Sequence, residues 1–389
     1  MLESQADKTT VAKRQDLRLY VRQPPMMLAL LAVLGVMLFL AVAGLSRVYH
    51  AQREALGNRW FSRGVRDLKA HHFDLAVTKF RAALLYSPDN YDYQLNLAEA
   101  LIGLKRTDEA YSYLVNLWDE QPEDGLVNLE LARIAAQKEQ REQTQRYYHN
   151  AIYATWPSDQ EGKRNETRLE LIEYLLGIHA QAQAQSELIA LEENLGDEPS
   201  QQQRLGDLFL RAQNDEHALA AYRASLKTNP HNQAALEGAG LAAFQLGRYP
   251  LAERYLQAAA ADNPTDTEIA DRLKTTDLVL AIDPFRRPIS AANRDKIVVQ
   301  NFEAAGQRLK ACGVLSAGGM PGGTQPDLAD SWTKMKPRIS DQSLQRNPGL
   351  VEDAMDLVFR IERQTNTTCG SPTGPDLALL LIAKLHEGN

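Results

Sequence analysis

The feature that most constrains this chain is a step of 34 residues. Pro88 and Pro122 are separated by it, and so are Pro230 and Pro264. The same step carries Gly64 to Ala98 and Ala132, Gly206 to Gly240, Ala76 to Ala110, and Ala218 to Ala252. Small, apolar and helix-ending residues recurring at one interval mark a repeat array, in which no unit can bury its apolar face alone and stacking is obligatory.

Within each step the residues resemble the tetratricopeptide repeat (TPR), whose pattern is W-x2-L-G-x2-Y, then A-x3-F, then a proline. In the first unit Trp60, Gly64, Phe73, Ala76, Phe80, Ala83 and Pro88 take those places, while Arg63 and Asp67 depart from the usual Leu and Tyr. Gly240, Tyr249, Ala252, Ala259 and Pro264 match in the sixth, and Leu205, Gly206, Ala218, Tyr222 and Pro230 in the fifth. The third unit keeps Leu131, Ala132, Tyr148 and Ala151, but Thr144 stands at a small-residue place and the proline moves to Pro157. A polar insertion, DQEGKRNE, precedes a fourth unit that retains little beyond apolar spacing. The resemblance implies an all-α fold: a TPR superhelix, or α-solenoid, of about six helix pairs over residues 57–266. In it, Gly64, Gly206 and Gly240 let helix A approach helix B at Ala76, Ala218 and Ala252. Phe80, Tyr148 and Tyr222 fill the space between units, and the prolines end helix B.

Upstream of the repeats, Met26 to Leu45 reads MMLALLAVLGVMLFLAVAGL without one charge. A helix rising about 1.5 Å per residue makes this stretch long enough for a bilayer's hydrocarbon core. It is read as a single transmembrane anchor over 26–45, although Ala41-Val42-Ala43 resembles a signal cleavage site and leaves that alternative open. Lys8, Lys13, Arg14, Arg18 and Arg22 make the tail of residues 1–25 basic, but Arg47, Arg53, Arg59 and Arg63 follow the span. The resulting bias toward an inside N-terminus is slight. Residues 46–56 are expected as a linker helix, 267–284 as a capping helix, and 285–389 as a small helical C-terminal cap domain. There Val298, Phe302, Ala305, Leu309 and Cys312 form one apolar stripe with Gly313 as its stop. Helices are also expected over 349–364 and from Pro375 onward, with SAGGMPGGTQP as a loop between. Cys312 and Cys369, the only two cysteines, suit a disulfide in an exported body or two free buried thiols in a cytosolic one.

Chemistry is sparse. The eight histidines are scattered, His71-His72 falls at a turn, and no HExxH, CxxC, GxSxG or nucleotide fingerprint occurs. Asp353 and Asp356, three apart on a helix, read as a wet face and not as an acid/base pair. Asn165 and Asn366 open formal glycosylation sequons that matter only in a eukaryotic secretory setting. The net charge is -7, and setting aside residues 1–45, with five Lys/Arg against three acids, leaves -9, a poor balance for nucleic acid. No catalysis, cofactor, metal or small-molecule substrate is expected.

The resemblance implies instead that a protein partner lies in the concave groove of the A helices, where Glu99, Arg133, Gln203, Asp207, Arg211 and Glu237 are the polar positions. The alternative is that these six are merely solvated. Chaperone-terminus capture is disfavoured, because Phe61 and Val65, then Leu126 and Glu130, stand where the family's carboxylate clamp needs cations and amides. The expected protein is a scaffold or assembly factor in a bacterial inner membrane, with its repeats in the periplasm and another membrane or envelope protein as partner. Three alternatives stay open: a cytosol-facing anchored receptor for protein targeting, a subunit docking through its C-terminal region, and an enzyme hidden in the C-terminal third.

Overall fold

Each helical hairpin turns on one residue held in the left-handed backbone region. In the computed structural model these are His71, Lys105 and Glu139, then His179, Gln213 and Gly247, with φ between 57 and 68°. Within each triplet the spacing is 34 residues; from Glu139 to His179 it is 40, six longer, because of the insertion. At every turn the next N–H closes on a carbonyl five residues back, as His72 does on Asp67 (2.9 Å), Asn214 on Phe209 (2.9 Å) and Arg248 on Ala243 (2.8 Å). This is the Schellman closure, which satisfies carbonyls that the helix end would leave bare.

The structure describes residues 24–154, 156, 162–313 and 326–386. The tail of residues 1–23, Pro157, the first three residues of the polar insertion and most of the Gly/Pro-rich stretch therefore lie outside the described residues. The fold is all-α, 81% helical, with no strand among the described residues. Two compact units divide between Leu169 and Glu170.

The first unit holds α1 (Pro24–Lys69), α2 (Phe73–Leu84), α3 (Tyr91–Gly103), α4 (Thr107–Glu120), α5 (Gly125–Gln137) and α6 (Arg141–Tyr153). The unit boundary falls inside α7 (Gly162–Gly177). The second unit continues with α8 (Gln181–Glu192), α9 (Pro199–Arg211), α10 (Asp215–Thr228), α11 (Gln233–Gln245), α12 (Tyr249–Asp262) and α13 (Thr267–Ile282). It ends with α14 (Ala291–Ala311), α15 (Pro326–Met335), one 3-10 turn (Lys336–Arg338), α16 (Asp341–Arg346), α17 (Gly349–Thr368) and α18 (Gly374–Leu385).

The connections between hairpins have a rule of their own. Helix B stops two residues ahead of Pro122, Pro230 and Pro264, since the residue before proline is pushed out of the helical region. Gln121, Asn229 and Asn263 accordingly sit at φ -139, -125 and -133°. Two residues after each proline an Asn or Asp caps the next helix. Asn90 accepts from Tyr93 N (3.1 Å), Asp124 from Val127 N (2.9 Å), Asn232 from Ala235 N (3.2 Å) and Asp266 from Glu268 N (2.9 Å).

Packing inside the hairpins differs in one respect from the sequence expectation. The nearest neighbours of the small A-helix positions are large side chains on helix B, not its alanines. A Cβ built on Gly64 would lie 2.6 Å from the Phe80 ring, on Gly206 2.7 Å from the Tyr222 ring, and on Gly240 2.8 Å from Leu256. Tyr222 also closes on Gly238 of the following hairpin. Ala76, Ala218 and Ala252 are fully buried beside them. Such gaps are one glycine wide, so any side chain there overpacks.

Along α1 the apolar segment is covered by nothing among the described residues: Phe39 is 71% and Leu45 73% exposed. Its mean hydropathy of 2.8 and its length are sufficient to cross a membrane.

The C-terminal helices share a core of Val298, Phe302, Leu309, Trp332, Leu344, Val358, Ile361, Leu379 and Ile382, which extends to Tyr249 and Val279 of α12 and α13. Trp332 stacks on Phe302 at 5.6 Å and donates its Nε1–H to the Phe302 carbonyl (2.9 Å). The short helices α15 and α16 were not anticipated; Leu328, Ala329 and Trp332 give α15 too few apolar positions to show a period. Cys312 and Cys369 end α14 and α17 with their Cα atoms 5.6 Å apart.

Candidate functional site

In the second unit the A helices α9 and α11, together with α13, enclose a hollow of about 290 Å³. Leu210, Gly238, Leu241 and Ile269 supply apolar lining; Asp207, Glu237, Asp266 and Glu268 bring four carboxylates, and Arg272 the one cation. The hollow exists because helical periodicity returns Asp207 and Leu210 to the same side of α9, and the hairpin step then repeats that side on α11. Gly238 keeps the wall low where the Tyr222 ring must fit.

Several of these carboxylates are held in place. Tyr222 donates its hydroxyl to Asp207 Oδ1 at 2.6 Å. Burial, followed by that hydrogen bond and the Asp207 charge, pushes the phenol well above its ordinary range, so it remains a donor at every accessible pH. Gln233 Nε2 donates to Glu237 Oε1 at 2.6 Å. Arg272 is spent on Glu268 (3.1 Å) and lies over the Phe244 ring at 5.7 Å. The surface left for a ligand is therefore acidic over an apolar base.

The six positions expected in the groove separate on inspection. Asp207 and Glu237 come together in the hollow. Gln203 accepts from Asn232 Nδ2 at 2.8 Å and so joins α9 to the cap of α11. Arg211 forms a two-pronged pair with Glu173, at 2.8 and 3.1 Å, which neutralises its charge toward a ligand. In the first unit Glu99 is exposed on α3, and Arg133 pairs with Glu130 at 2.5 Å. Asp266, Glu268 and Arg272 were missed, because α13 was expected only as a lid. The available signal was Asp266 standing 34 residues after Asn232, in step with the other caps. Phe61, at the clamp position, stacks on Tyr93 with ring centroids 5.0 Å apart.

His71 occupies a left-handed turn position, and no group of three or more His, Cys, Asp or Glu among the described residues is placed to hold a metal ion.

Tetratricopeptide-repeat family models match residues 67–124 and 204–267. No curated protein matches the chain. Among solved structures, that of Pseudomonas aeruginosa pilF is similar at 16% identity and TM-score 0.40, covering 56% of this chain and 97% of its own. YrrB, described as a TPR protein with an unusual peptide-binding site, is similar at 15% identity and TM-score 0.39, covering 49% and 95%. PilW, described as a widely conserved type IV pilus biogenesis factor, is similar at 16% identity and TM-score 0.39, covering 55% and 96%. These likenesses assign no role. With each matched segment built of hairpins at a 34-residue step, the chain carries tetratricopeptide repeats.

Proposed function

We propose that this chain is a non-catalytic scaffold or assembly factor, held to a membrane by α1, that binds a protein partner through the groove of α9, α11 and α13. The observation that carries the reading is the lining: four carboxylates around an apolar base, with the single guanidinium already paired. Such a surface suits an extended or helical segment whose apolar side chains are flanked by Lys or Arg. Carboxylates of like sign in a concavity also raise the local concentration of a cationic segment and speed its encounter.

The uncovered apolar face of α1 supports anchoring over 26–45, since hydrocarbon is the environment in which those side chains gain most. The Cys312–Cys369 pairing supports repeats in an oxidising compartment, the periplasm of a bacterium with α1 in the inner membrane, because such bridges persist where thiols are not kept reduced. There the partner is another membrane or envelope protein. A cytosol-facing receptor would carry the same groove on the other side of the bilayer. Protease added to sealed spheroplasts separates the two, degrading the repeats only if they face outward.

The groove itself is tested by cross-linking the full chain in native membranes, purifying it in mild detergent and identifying partners by mass spectrometry. Glu237→Lys combined with Glu268→Lys is expected to lose the partner while the circular dichroism stays that of the wild type. Retention of the same partner by the double variant rejects the groove.

A further inference from the structure

Outside the repeats, α17 carries Asp353, Asp356, Arg360 and Arg363 at steps of three, four and three residues, so all four lie on one helical face. Across from them α15 and the 3-10 turn place Lys334, Met335 and Arg338, and the two sides line an open cleft of about 710 Å³ with Leu357 and Met335 as its apolar part.

The charges are segregated along the cleft, carboxylates toward the start of α17 and guanidinium groups toward its end. Preference for acids near a helix N-terminus and bases near its C-terminus accounts for that order within α17. Arg338 brings a further cation to the same lining from a separate element. Lys334 is taken up by Asp330 at 3.1 Å, whereas Arg338 and Arg360, both exposed, make no ion pair among the described residues. Two carboxylates on the same face disfavour a phosphate or a lipid headgroup, which would gain from the arginines and be repelled by Asp353 and Asp356. A segment with a cation at one end and carboxylates at the other satisfies both halves. From Asp353 to Arg363 the face runs roughly 15 Å, or three turns.

We propose that this cleft is a second docking site, separate from the repeat groove and independent of its assignment, for an amphipathic helical segment of a partner protein. Lys or Arg at one end of the segment faces Asp353 and Asp356, an apolar side chain meets Met335 and Leu357, and carboxylates further along face Arg360, with Arg338 as a second cation of the same cleft.

The probe is a fluorescein-labelled synthetic helix of about 14 residues, with two lysines one turn apart, a central leucine and two glutamates one turn apart, titrated by anisotropy against the full chain in detergent micelles. A peptide of the same composition with its charges interleaved is the control. The matched peptide is expected to bind at least roughly tenfold more tightly than the control, and to lose roughly tenfold with Arg338→Glu plus Arg360→Glu. Both side chains are exposed, so circular dichroism should not change. The groove variant Glu237→Lys/Glu268→Lys is expected to bind it unchanged. Equal binding of both peptides, no binding, or loss in the groove variant overturns the proposal. So does an arginine-dependent preference for inorganic phosphate or phosphatidylglycerol vesicles over the matched peptide, since the cleft would then be an oxyanion site.

Discussion

Glu362 is a costly side chain in the C-terminal core, and replacing it with glutamine should stabilise the protein in a strongly pH-dependent way. It is fully buried on α17, and neither carboxylate oxygen has a hydrogen-bond partner among the described residues. Burial, reinforced by the neighbouring Asp376 charge and only partly offset by Arg308, pushes its carboxyl from 4.5 up to about 8. Arg308 is itself engaged, donating to the Gly370 carbonyl (2.8 Å) and lying 3.9 Å from Asp376, whose own carboxyl is raised by burial. Because the folded pKa stands above the unfolded one, the site's contribution is complete below about pH 4.5 and is lost as pH rises through about 8. At 1.36 kcal/mol per unit the native state gives up about 3 kcal/mol by pH 7 and about 5 by pH 9, relative to acid. The Glu362→Gln variant keeps the shape and has no proton to lose. Urea unfolding of both proteins in micelles from pH 5 to 9, with hydrogen exchange locating the effect in α17 and α18, measures the difference. Every other titrating group is common to both, so the difference curve isolates this one. It should widen by about 4 kcal/mol across that range. Parallel curves would refute the reasoning, because they would mean that Glu362 is solvated or paired.

Three further outcomes follow from the packing. Gly206→Leu and Gly64→Leu should each cost about 1–3 kcal/mol in thermal or urea unfolding, since a Cβ alone already meets the rings of Tyr222 and Phe80. At the left-handed turns, Glu139→Gly and Gln213→Gly should raise stability by about 0.5 kcal/mol, the strain relieved exceeding the flexibility added, whereas Gly247→Val should lower it. Reduction with dithiothreitol, or Cys312→Ser with Cys369→Ser, should destabilise the C-terminal helices by up to about 4 kcal/mol for a loop of this length, measured as faster exchange in α17 and α18.

The repeat architecture was legible in the sequence because its determinants are local. A left-handed turn, a proline and a cap two residues later each act within a few residues, so a 34-residue recurrence of Gly64, Ala76, Pro88 and their counterparts marks the hairpins that carry it, while the divergent fourth was legible by apolar spacing alone. The uncharged stretch from Met26 to Leu45 was legible for the same reason, since hydropathy is additive along a helix. Site composition was not. Whether Arg211 faces a ligand depends on Glu173, 38 positions away, and whether Gln203 is free depends on Asn232. Only the stacked structure placed Asp266 and Glu268 beside Asp207 and Glu237, because separate helices contribute them. The buried state of Glu362 was equally invisible, as i,i+3 spacing says which face a residue shares but not which face is covered. The sequence by itself therefore determined the repeating unit and the long apolar helix, where energies are set by neighbours in the chain. The tertiary structure decided which charges remain available, because that depends on pairs brought together by packing over long separations.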